Sequence, residues 1–88
     1  MDMREFEQVV EKCKQSGMKV AVYPKSYQIN MTDVDGVVQT YYASRSKGLF
    51  RDGNDWKKSS KHTEENLSVD RFIALCKGEE DILETFFD

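Results

Sequence analysis

The spacing between apolar residues changes twice along the chain, and this change limits the folds that the chain can adopt. Apolar residues recur at i, i+3, i+4 and i+7 from Phe6 to Cys13, and the same spacing returns from Val69 to Cys76. Between these segments apolar and polar residues alternate, which is the pattern of strands with one buried face. Two amphipathic helices need an apolar sheet face to bury their stripes, so the sequence predicts an α+β protein.

Residues that favour helix ends flank both stripes. The first predicted helix covers residues 3–16 and has Asp2 as its N-cap. The second follows Ser68, a favourable N-cap, and is closed by Gly78. A last short helix or turn is expected from the apolar residues within 82–87.

Period-two alternation predicts the strands. Pro24 cannot donate a ladder hydrogen bond, so the first alternating region is either two strands or one bent strand. A turn at residues 33–36 precedes the longest candidate. Residues 57–62 show no periodicity and are expected to form a mobile loop or a frayed edge. The strand candidates are residues 18–23, 27–31, 37–44 and 49–51.

Together these elements predict a single domain over residues 1–88. The predicted architecture is an antiparallel meander of three to four strands, with the N-terminal and C-terminal helices packed on one face. The order of elements is α-β-β-β(-β)-α-α. A chain of 88 residues has no room for a second core, and its single proline and five glycines argue against general disorder.

Charge is strongly segregated along the chain, although the net charge is only −3. Residues 45–62 hold six basic groups against two acidic ones, a net of +4. Residues 63–88 hold two basic and eight acidic groups, a net of −6. Such asymmetry concerns partners and association rates rather than the fold. The basic segment either binds an external partner or is neutralised by the acidic C-terminal region of the same chain.

The sequence offers little for catalysis or metal binding. His62 is the one histidine and lies in the least regular segment, while Cys13 and Cys76 occupy the helical stripes as small core residues. The turn at residues 33–36 lacks the later glycine and acidic ligand of a calcium loop. We therefore expect a non-enzymatic protein with no catalytic residue, no metal site and no cofactor.

Export and membrane insertion are not indicated. The N-terminus is charged, and no stretch approaches the roughly 18 consecutive apolar residues that a membrane helix needs. The two cysteines do not make a disulfide scaffold. The expectation is a cytoplasmic protein without a membrane partner.

Basic and aromatic residues are interleaved in the region of residues 41–61. Cations there could contact phosphates while aromatic rings stack on bases. The same residue types also anchor protein interfaces, and a solvated hairpin whose aromatics fill the core is a third interpretation. The candidate nucleic-acid contacts are Arg45, Lys47, Arg51, Lys57, Lys58 and Lys61.

Acidic residues near the C-terminus offer a competing surface. Spaced negative charge can occupy a groove built for nucleic acid, and the same charge would repel DNA or RNA. Exposed aromatic residues of the hairpin would add contact area to such an interface. The candidate partner-binding residues are Glu79, Glu80, Asp81, Glu84, Tyr42 and Trp56.

The order of elements resembles that of small accessory proteins of phages and mobile elements. Two segments carry the likeness, the hairpin YYASRSKGLFRDG and the acidic ending LCKGEEDILETFFD. Among these proteins the chain is similar in plan to anti-CRISPR inhibitors, which block a nuclease by occupying its nucleic-acid surface. The resemblance implies inhibition of a host protein, such as a nuclease or a nucleic-acid-binding complex, in the host cytoplasm.

Two further possibilities come from the residues themselves. The alternative function is a nucleic-acid-binding module that uses the basic and aromatic residues of 41–61. In addition, a sheet edge that nothing covers could pair two copies of the chain as a homodimer.

Overall fold

A computed structural model describes residues 1–80, which form two helices and one five-stranded sheet. The last predicted helix, within residues 82–87, lies outside the described residues. Helix α1 spans Met3–Gln15 and helix α2 spans Val69–Cys76. The strands are β1 Val20–Tyr23, β2 Gln28–Thr32, β3 Val38–Tyr42, β4 Lys47–Arg51 and β5 Lys61–Glu64.

Both helices begin at the predicted caps. The Asp2 carboxylate accepts a hydrogen bond from the backbone N–H of Glu5 at 2.8 Å, and the Ser68 hydroxyl accepts one from the N–H of Arg71 at 3.2 Å. These bonds satisfy backbone donors that have no partner within the helix. Gly78 adopts a positive φ of 77° just beyond α2, which a glycine allows without a steric penalty. The helix boundaries predicted from local residues are therefore confirmed to within about a residue.

The sheet is an antiparallel meander in which each strand pairs with the next along the chain, in the order β1-β2-β3-β4-β5. The predicted α+β class and antiparallel topology are confirmed. The sheet has five strands within residues 1–80, however, and not three to four. The extra strand is β5, where Lys61 pairs with Arg51 and Thr63 pairs with Leu49.

The prediction of a mobile loop or frayed edge for residues 57–62 is wrong where β5 begins at Lys61. This strand has the sequence KHTE and therefore lacks the apolar alternation that marks a half-buried strand. Because it lies at the sheet edge, its ladder hydrogen bonds to β4 hold it in place without apolar side chains.

The β1-β2 hairpin and the β3-β4 hairpin share one turn geometry. A single turn of 3₁₀-helix, Pro24–Ser26 in one and Ala43–Arg45 in the other, is followed by a residue in the left-handed region. These residues are Tyr27, with a φ of 50°, and Ser46, with a φ of 48°. The region around Pro24 therefore contains two strands, and the proline sits at the start of the turn, where no ladder bond is needed.

Both helices pack on the same face of the sheet, which we call the helix face. The Phe72 ring of α2 lies 5.0 Å from the ring of Tyr41 and 5.7 Å from that of Phe50, measured between centroids. Helix α1 adds Phe6, whose ring meets that of Tyr27 edge-on at 5.3 Å. The predicted placement of both helices on one face is confirmed. The buried apolar core comprises Phe6, Val10, Cys13, Ile29, Met31, Tyr41, Ala43, Phe50, Leu67, Phe72, Leu75 and Cys76.

The opposite face, which we call the open face, is covered by neither helix. It is formed by the alternate residues of the same strands, so that Asn30, Thr40, Leu49 and Thr63 lie in one row across four strands. Among residues 1–80, neither helix has the length or the apolarity needed to cross a bilayer. The strand residues of the open face are Ala21, Tyr23, Gln28, Asn30, Thr32, Val38, Thr40, Tyr42, Lys47, Leu49, Arg51, Lys61 and Thr63.

Candidate binding surface on the open face

Arg51 lies on the open face but is 7% exposed. Its guanidinium donates to the carbonyl oxygen of Val38 at 2.7 Å, and both terminal nitrogens donate to Oγ1 of Thr40 at 3.2 Å. Nε of Arg51 is buried without a hydrogen-bond partner, and no carboxylate within residues 1–80 forms an ion pair with it. Burial in this setting lowers the pKa of Arg51, because desolvation disfavours the charged form. The sheet thus carries a buried cation that has no acidic partner among residues 1–80.

The Gln39 side chain holds the backbone of Arg51 from the helix face. Its Oε1 accepts from the Arg51 N–H at 2.6 Å, and its Nε2 donates to the Arg51 carbonyl at 2.8 Å. The same Nε2 donates to Oδ2 of Asp33 at 3.0 Å. The amide of Gln39 therefore takes the place of a backbone peptide group between β3 and β4, and it fixes where β4 places Arg51.

Trp56 lies over the cations at the edge of this face. Its ring centroid is 4.5 Å from Cζ of Arg51 and 5.0 Å from Nζ of Lys61, distances at which the ring attracts a cation. Arg51 and Lys61 are cross-strand partners on β4 and β5, so both reach the ring from the sheet. Trp56 itself is 60% exposed and keeps most of its surface free for a ligand.

The segment that carries Trp56, residues 52–60, is closed by hydrogen bonds, and we call it the Trp56 loop. Its two ends bond to each other, with Asp52 N–H to Ser60 O at 3.3 Å and Ser60 N–H to Oδ1 of Asp52 at 2.8 Å. Nζ of Lys61 donates to the Trp56 carbonyl at 2.6 Å. Residues 57–60, which belong to the segment predicted as a mobile loop or a frayed edge, therefore lie in a loop with defined hydrogen bonds.

Asn54 attaches the Trp56 loop to the start of β3. Its Oδ1 accepts from the Val38 N–H at 3.0 Å, and its Nδ2 donates to the Gly36 carbonyl at 2.8 Å. This contact satisfies an N–H and a carbonyl of the neighbouring chain segment, so the loop is held at both of its flanks.

An open cleft of about 310 Å³ lies between the Trp56 loop and the strands. Three carboxamides, two aromatic rings and one guanidinium line it, together with a single aliphatic side chain, and no carboxylate does. Such a lining suits a planar, polar ligand better than a cationic one. The lining residues are Gln28, Asn30, Val38, Tyr42, Arg51, Asn54 and Trp56.

A hydrogen-bond chain runs across the floor of this cleft. Nε2 of Gln28 donates to Oδ1 of Asn30 at 3.1 Å, and the Thr40 hydroxyl donates to the same oxygen at 2.9 Å. The N–H groups of Asn30 and Oε1 of Gln28 are not used in these bonds. Fixed by their neighbours, both groups have hydrogen-bonding capacity left for a ligand.

Ion pairs lie away from the open face. Arg71 of α2 pairs with Glu64 at 3.1 Å and with Glu80 at 3.0 Å, and Lys12 of α1 meets Asp70 of α2 at 3.3 Å. None of the six basic candidates of the hairpin region pairs with a carboxylate in the described part of the chain. Neutralisation of the basic segment by acidic residues is therefore not observed for residues 1–80.

Most of the basic candidates fall on or beside the open face. Lys47 is the cross-strand partner of Tyr42, so that a cation and an aromatic ring are neighbours there as well. Lys57 and Lys58 are exposed in the Trp56 loop, and Arg45 is exposed in the turn before β4. Arg51, in contrast, is buried and serves as the floor of the cleft.

The partner-binding candidates are divided between two sides of the molecule. Tyr42 and Trp56 line the cleft of the open face. Glu79 and Glu80 follow α2, which packs on the helix face, and Glu80 is engaged by Arg71. The remaining candidates, Asp81 and Glu84, lie outside the described residues.

Sequence reasoning missed the polar residues of the cleft, namely Gln28, Asn30, Thr40 and Asn54. A carboxamide at two alternate positions of β2 was a usable signal, because polar side chains at that spacing share one sheet face. No local signal marks Asn54, whose role depends on the return of the loop to β3.

The two thiols are buried in the core. Burial raises the pKa of Cys13 from 9.0 to about 11, and burial also raises the pKa of Cys76 far above its ordinary value. His62 lies 3.9 Å from Glu64 between Nε2 and Oε2. Among the described residues, no three His, Cys, Asp or Glu side chains are grouped so as to hold a metal ion.

Comparison with known proteins gives no match: no protein-family model, no curated protein and no solved structure is similar to the chain. The resemblance to anti-CRISPR inhibitors therefore stays a hypothesis.

Proposed function

We propose that the protein is a non-enzymatic binding protein whose open face takes single-stranded nucleic acid. One observation carries this proposal: the open face combines exposed aromatic rings with cations, and none of its strand positions holds an acidic residue. The ion-paired carboxylates lie elsewhere in the fold. A polyanion therefore meets an attractive surface on this side of the sheet.

Stacking supplies the first part of the binding energy. Trp56 is 60% exposed, and Tyr42, which lines the same cleft, is half-buried. Stacking of a base on such a ring contributes about 1–3 kcal/mol, whatever the base, because every base has a π-face. Two rings at one cleft can hold consecutive or splayed bases.

Cations supply the second part. Lys47 and Lys61 belong to the open face, and Lys57 and Lys58 project from the Trp56 loop. No carboxylate in the described part of the chain is paired with any of the four, although Nζ of Lys61 already donates to the Trp56 carbonyl, so Lys47, Lys57 and Lys58 are the more available for a phosphate. Each phosphate neutralised releases counterions, which makes the affinity fall as salt rises.

A single strand fits this surface better than a duplex. Paired bases are stacked on each other and cannot stack on Trp56, whereas unpaired bases can be splayed out onto a sheet face. Neither helix is available to enter a groove of a duplex from this face, because both pack on the helix face. We therefore expect weaker binding to duplex DNA of the same length.

The test uses labelled single-stranded oligonucleotides and the fluorescence of Trp56, the only tryptophan of the chain. We expect binding at low salt, quenching of the Trp56 emission by stacked bases, and a linear fall of log affinity with log salt. Lys47→Glu should lower the affinity about tenfold or more, since it removes a phosphate contact and adds repulsion. The readout is a titration followed both by anisotropy of the label and by Trp56 emission.

Lys14→Glu is the matched control, because Lys14 is an exposed lysine of α1 on the far side of the molecule. It makes the same change in net charge and should leave the affinity nearly unchanged. Equal losses for both variants would show that net charge alone governs binding. No binding of any single strand at low salt would overturn the proposal.

Inhibition of a host nucleic-acid-processing protein is the second candidate, and it has less support. Its acidic residues Glu79 and Glu80 are separated from Tyr42 and Trp56 by the sheet, so these four residues do not form one surface. Glu80 is already paired with Arg71. Reversal of Glu79 and Glu80 to lysine should abolish capture of a nuclease or its complex if this candidate is right, and should spare oligonucleotide binding if it is not.

A further inference from the structure

The cleft between the Trp56 loop and the strands has features that binding of a nucleic-acid backbone does not need. We propose that it is a pocket for one unpaired base and that it selects bases that carry a carbonyl oxygen. This inference rests on the proposed single-strand binding and adds its selectivity. Guanine, thymine, uracil and cytosine carry such an oxygen, and adenine does not.

The shape and lining of the cleft suit a base. Its volume of about 310 Å³ lies at the lower end of the range for small-molecule pockets, which matches one planar ring system rather than an extended ligand. The strands form its floor with Gln28, Asn30, Tyr42 and Arg51, and the Trp56 loop adds Asn54 and Trp56. Aromatic stacking combined with hydrogen bonding to the base edge is how single-stranded bases are read.

The free hydrogen-bonding groups at the floor are mainly donors. Both N–H bonds of Asn30 Nδ2 are unused, because only Oδ1 of that residue is engaged, by Gln28 and Thr40. Arg51 has one further N–H on Nη2 beyond the one given to Thr40, while its unpartnered Nε–H is itself buried. The free acceptor beside them is Oε1 of Gln28. An excess of donors favours a ligand edge that presents a carbonyl oxygen.

The positive charge at the floor of the cleft also favours a carbonyl oxygen. Arg51 is nine-tenths buried and has no carboxylate partner in the described part of the chain, so its positive charge is felt within the cleft. A carbonyl oxygen of a base is a favourable neighbour for this charge, and an exocyclic amino group is not. The lysines lie beside the cleft and in the Trp56 loop. In the proposed complex they contact the phosphates outside the cleft, while the base lies inside it.

The floor is also held rigid before any ligand arrives. Thr40 is fully buried and fixes both the guanidinium of Arg51 and Oδ1 of Asn30. Gln39 fixes the Arg51 backbone from the other face. Donors that are already oriented lose little freedom on binding, so their contacts add selectivity at small entropic cost.

The experiment compares a thymidine homopolymer with a deoxyadenosine homopolymer of the same length at the same salt concentration. We expect the wild-type protein to prefer the thymidine strand about tenfold, which corresponds to one or two hydrogen bonds. Asn30→Ala removes the two free donors and should bring this ratio close to one. Asn30→Asp keeps the acceptor oxygen for Thr40 and Gln28 and should favour the adenine strand, whose amino group is a donor.

Lys47→Ala serves as the matched control, because a phosphate contact is common to both strands. It should weaken both affinities equally and leave the ratio unchanged. Adenine strands stack on themselves, so a preference for thymidine that survives in both Asn30 variants would come from the strand and would overturn the inference. Equal affinity of the wild-type protein for both strands would also overturn it while leaving the proposed function intact, whereas no binding of either strand would overturn both.

Discussion

The helix face and the open face are built from alternate residues of the same strands, yet they bury polar groups in different ways. On the helix face, the Tyr41 hydroxyl donates to the Leu67 carbonyl at 2.7 Å, and Tyr41 belongs to the buried apolar core. On the open face, Thr40 is as fully buried as the core, but the group that covers it is the guanidinium of Arg51. The buried Tyr41 hydroxyl of the first face is satisfied by the protein itself, whereas the second face keeps donors in reserve.

The two faces of this small domain separate the residues that stabilise the fold from the residues that keep hydrogen-bonding groups free. The helix face is closely packed against both helices, which stabilises the fold. The open face has a polar floor under exposed rings, which contributes less to stability and is suited to recognition. Substitutions on the helix face should therefore lower stability most, and substitutions on the open face should lower the affinity for a single strand most.

The largest effect is expected at the centre of the helix face. Phe72→Ala removes a ring that is fully buried and lies against both Tyr41 and Phe50. Loss of a buried phenyl group leaves a cavity and costs about 3–5 kcal/mol in the free energy of unfolding. Urea denaturation followed by far-UV circular dichroism measures the loss. A cost below about 1 kcal/mol would contradict the role of this face as the core.

The second-largest effect is expected from alkaline pH, which should lower the free energy of unfolding through the buried thiol of Cys13 on the helix face. Burial raises the pKa of Cys13 from 9.0 to about 11, so the unfolded chain loses the thiol proton first and is favoured as the pH rises. Stability is complete below pH 9.0 and falls between 9.0 and about 11, by about 1–2 kcal/mol after allowance for solvent screening. Cys76 and Tyr41, whose pKa values are also raised by burial, act in the same direction.

Urea midpoints measured across this pH range test the expectation. Cys13→Ala removes the thiol and should flatten part of the dependence. A pH dependence identical to that of the wild-type protein would show that the thiol at position 13 is not the group responsible.

The smallest effect on stability is expected on the open face. Trp56→Ala removes a ring that is largely exposed and contacts two cations, so its loss should cost less than about 1 kcal/mol. The same variant should lower the affinity for a single strand about tenfold or more, because a stacking platform is lost. Urea denaturation and oligonucleotide titration of one preparation give both numbers. A stability loss as large as that of Phe72→Ala would erase the distinction between the two faces.

Elements that depend on local residues could be predicted from the sequence. The caps at Asp2 and Ser68 act on backbone donors within three residues, and the apolar stripes follow helical spacing, so both helices were found with nearly correct ends. The antiparallel meander followed from the need of both stripes for one sheet face.

Elements that depend on distant residues could not be predicted in this way. Strand β5 is polar and is held by the ladder to β4, so its own sequence carries no strand pattern. Arg51 reads as an exposed cation in the sequence, and only the approach of Thr40 and Trp56 buries it. The separation of basic and acidic groups onto different sides likewise depends on the register of the strands.

The carboxamide of Gln39 has a further consequence for how the chain finds its register. It matches the peptide group of Arg51 and Oδ2 of Asp33 at the same time, so it is satisfied in one alignment of β3 and β4 only. A hairpin whose register was shifted by one residue would turn every side chain to the wrong face. It would also leave the Gln39 amide buried without hydrogen-bond partners, at a cost of about 1–3 kcal/mol for each buried group. Gln39 thus favours the native register of β3 and β4 over shifted ones, and that register determines where the cleft lies.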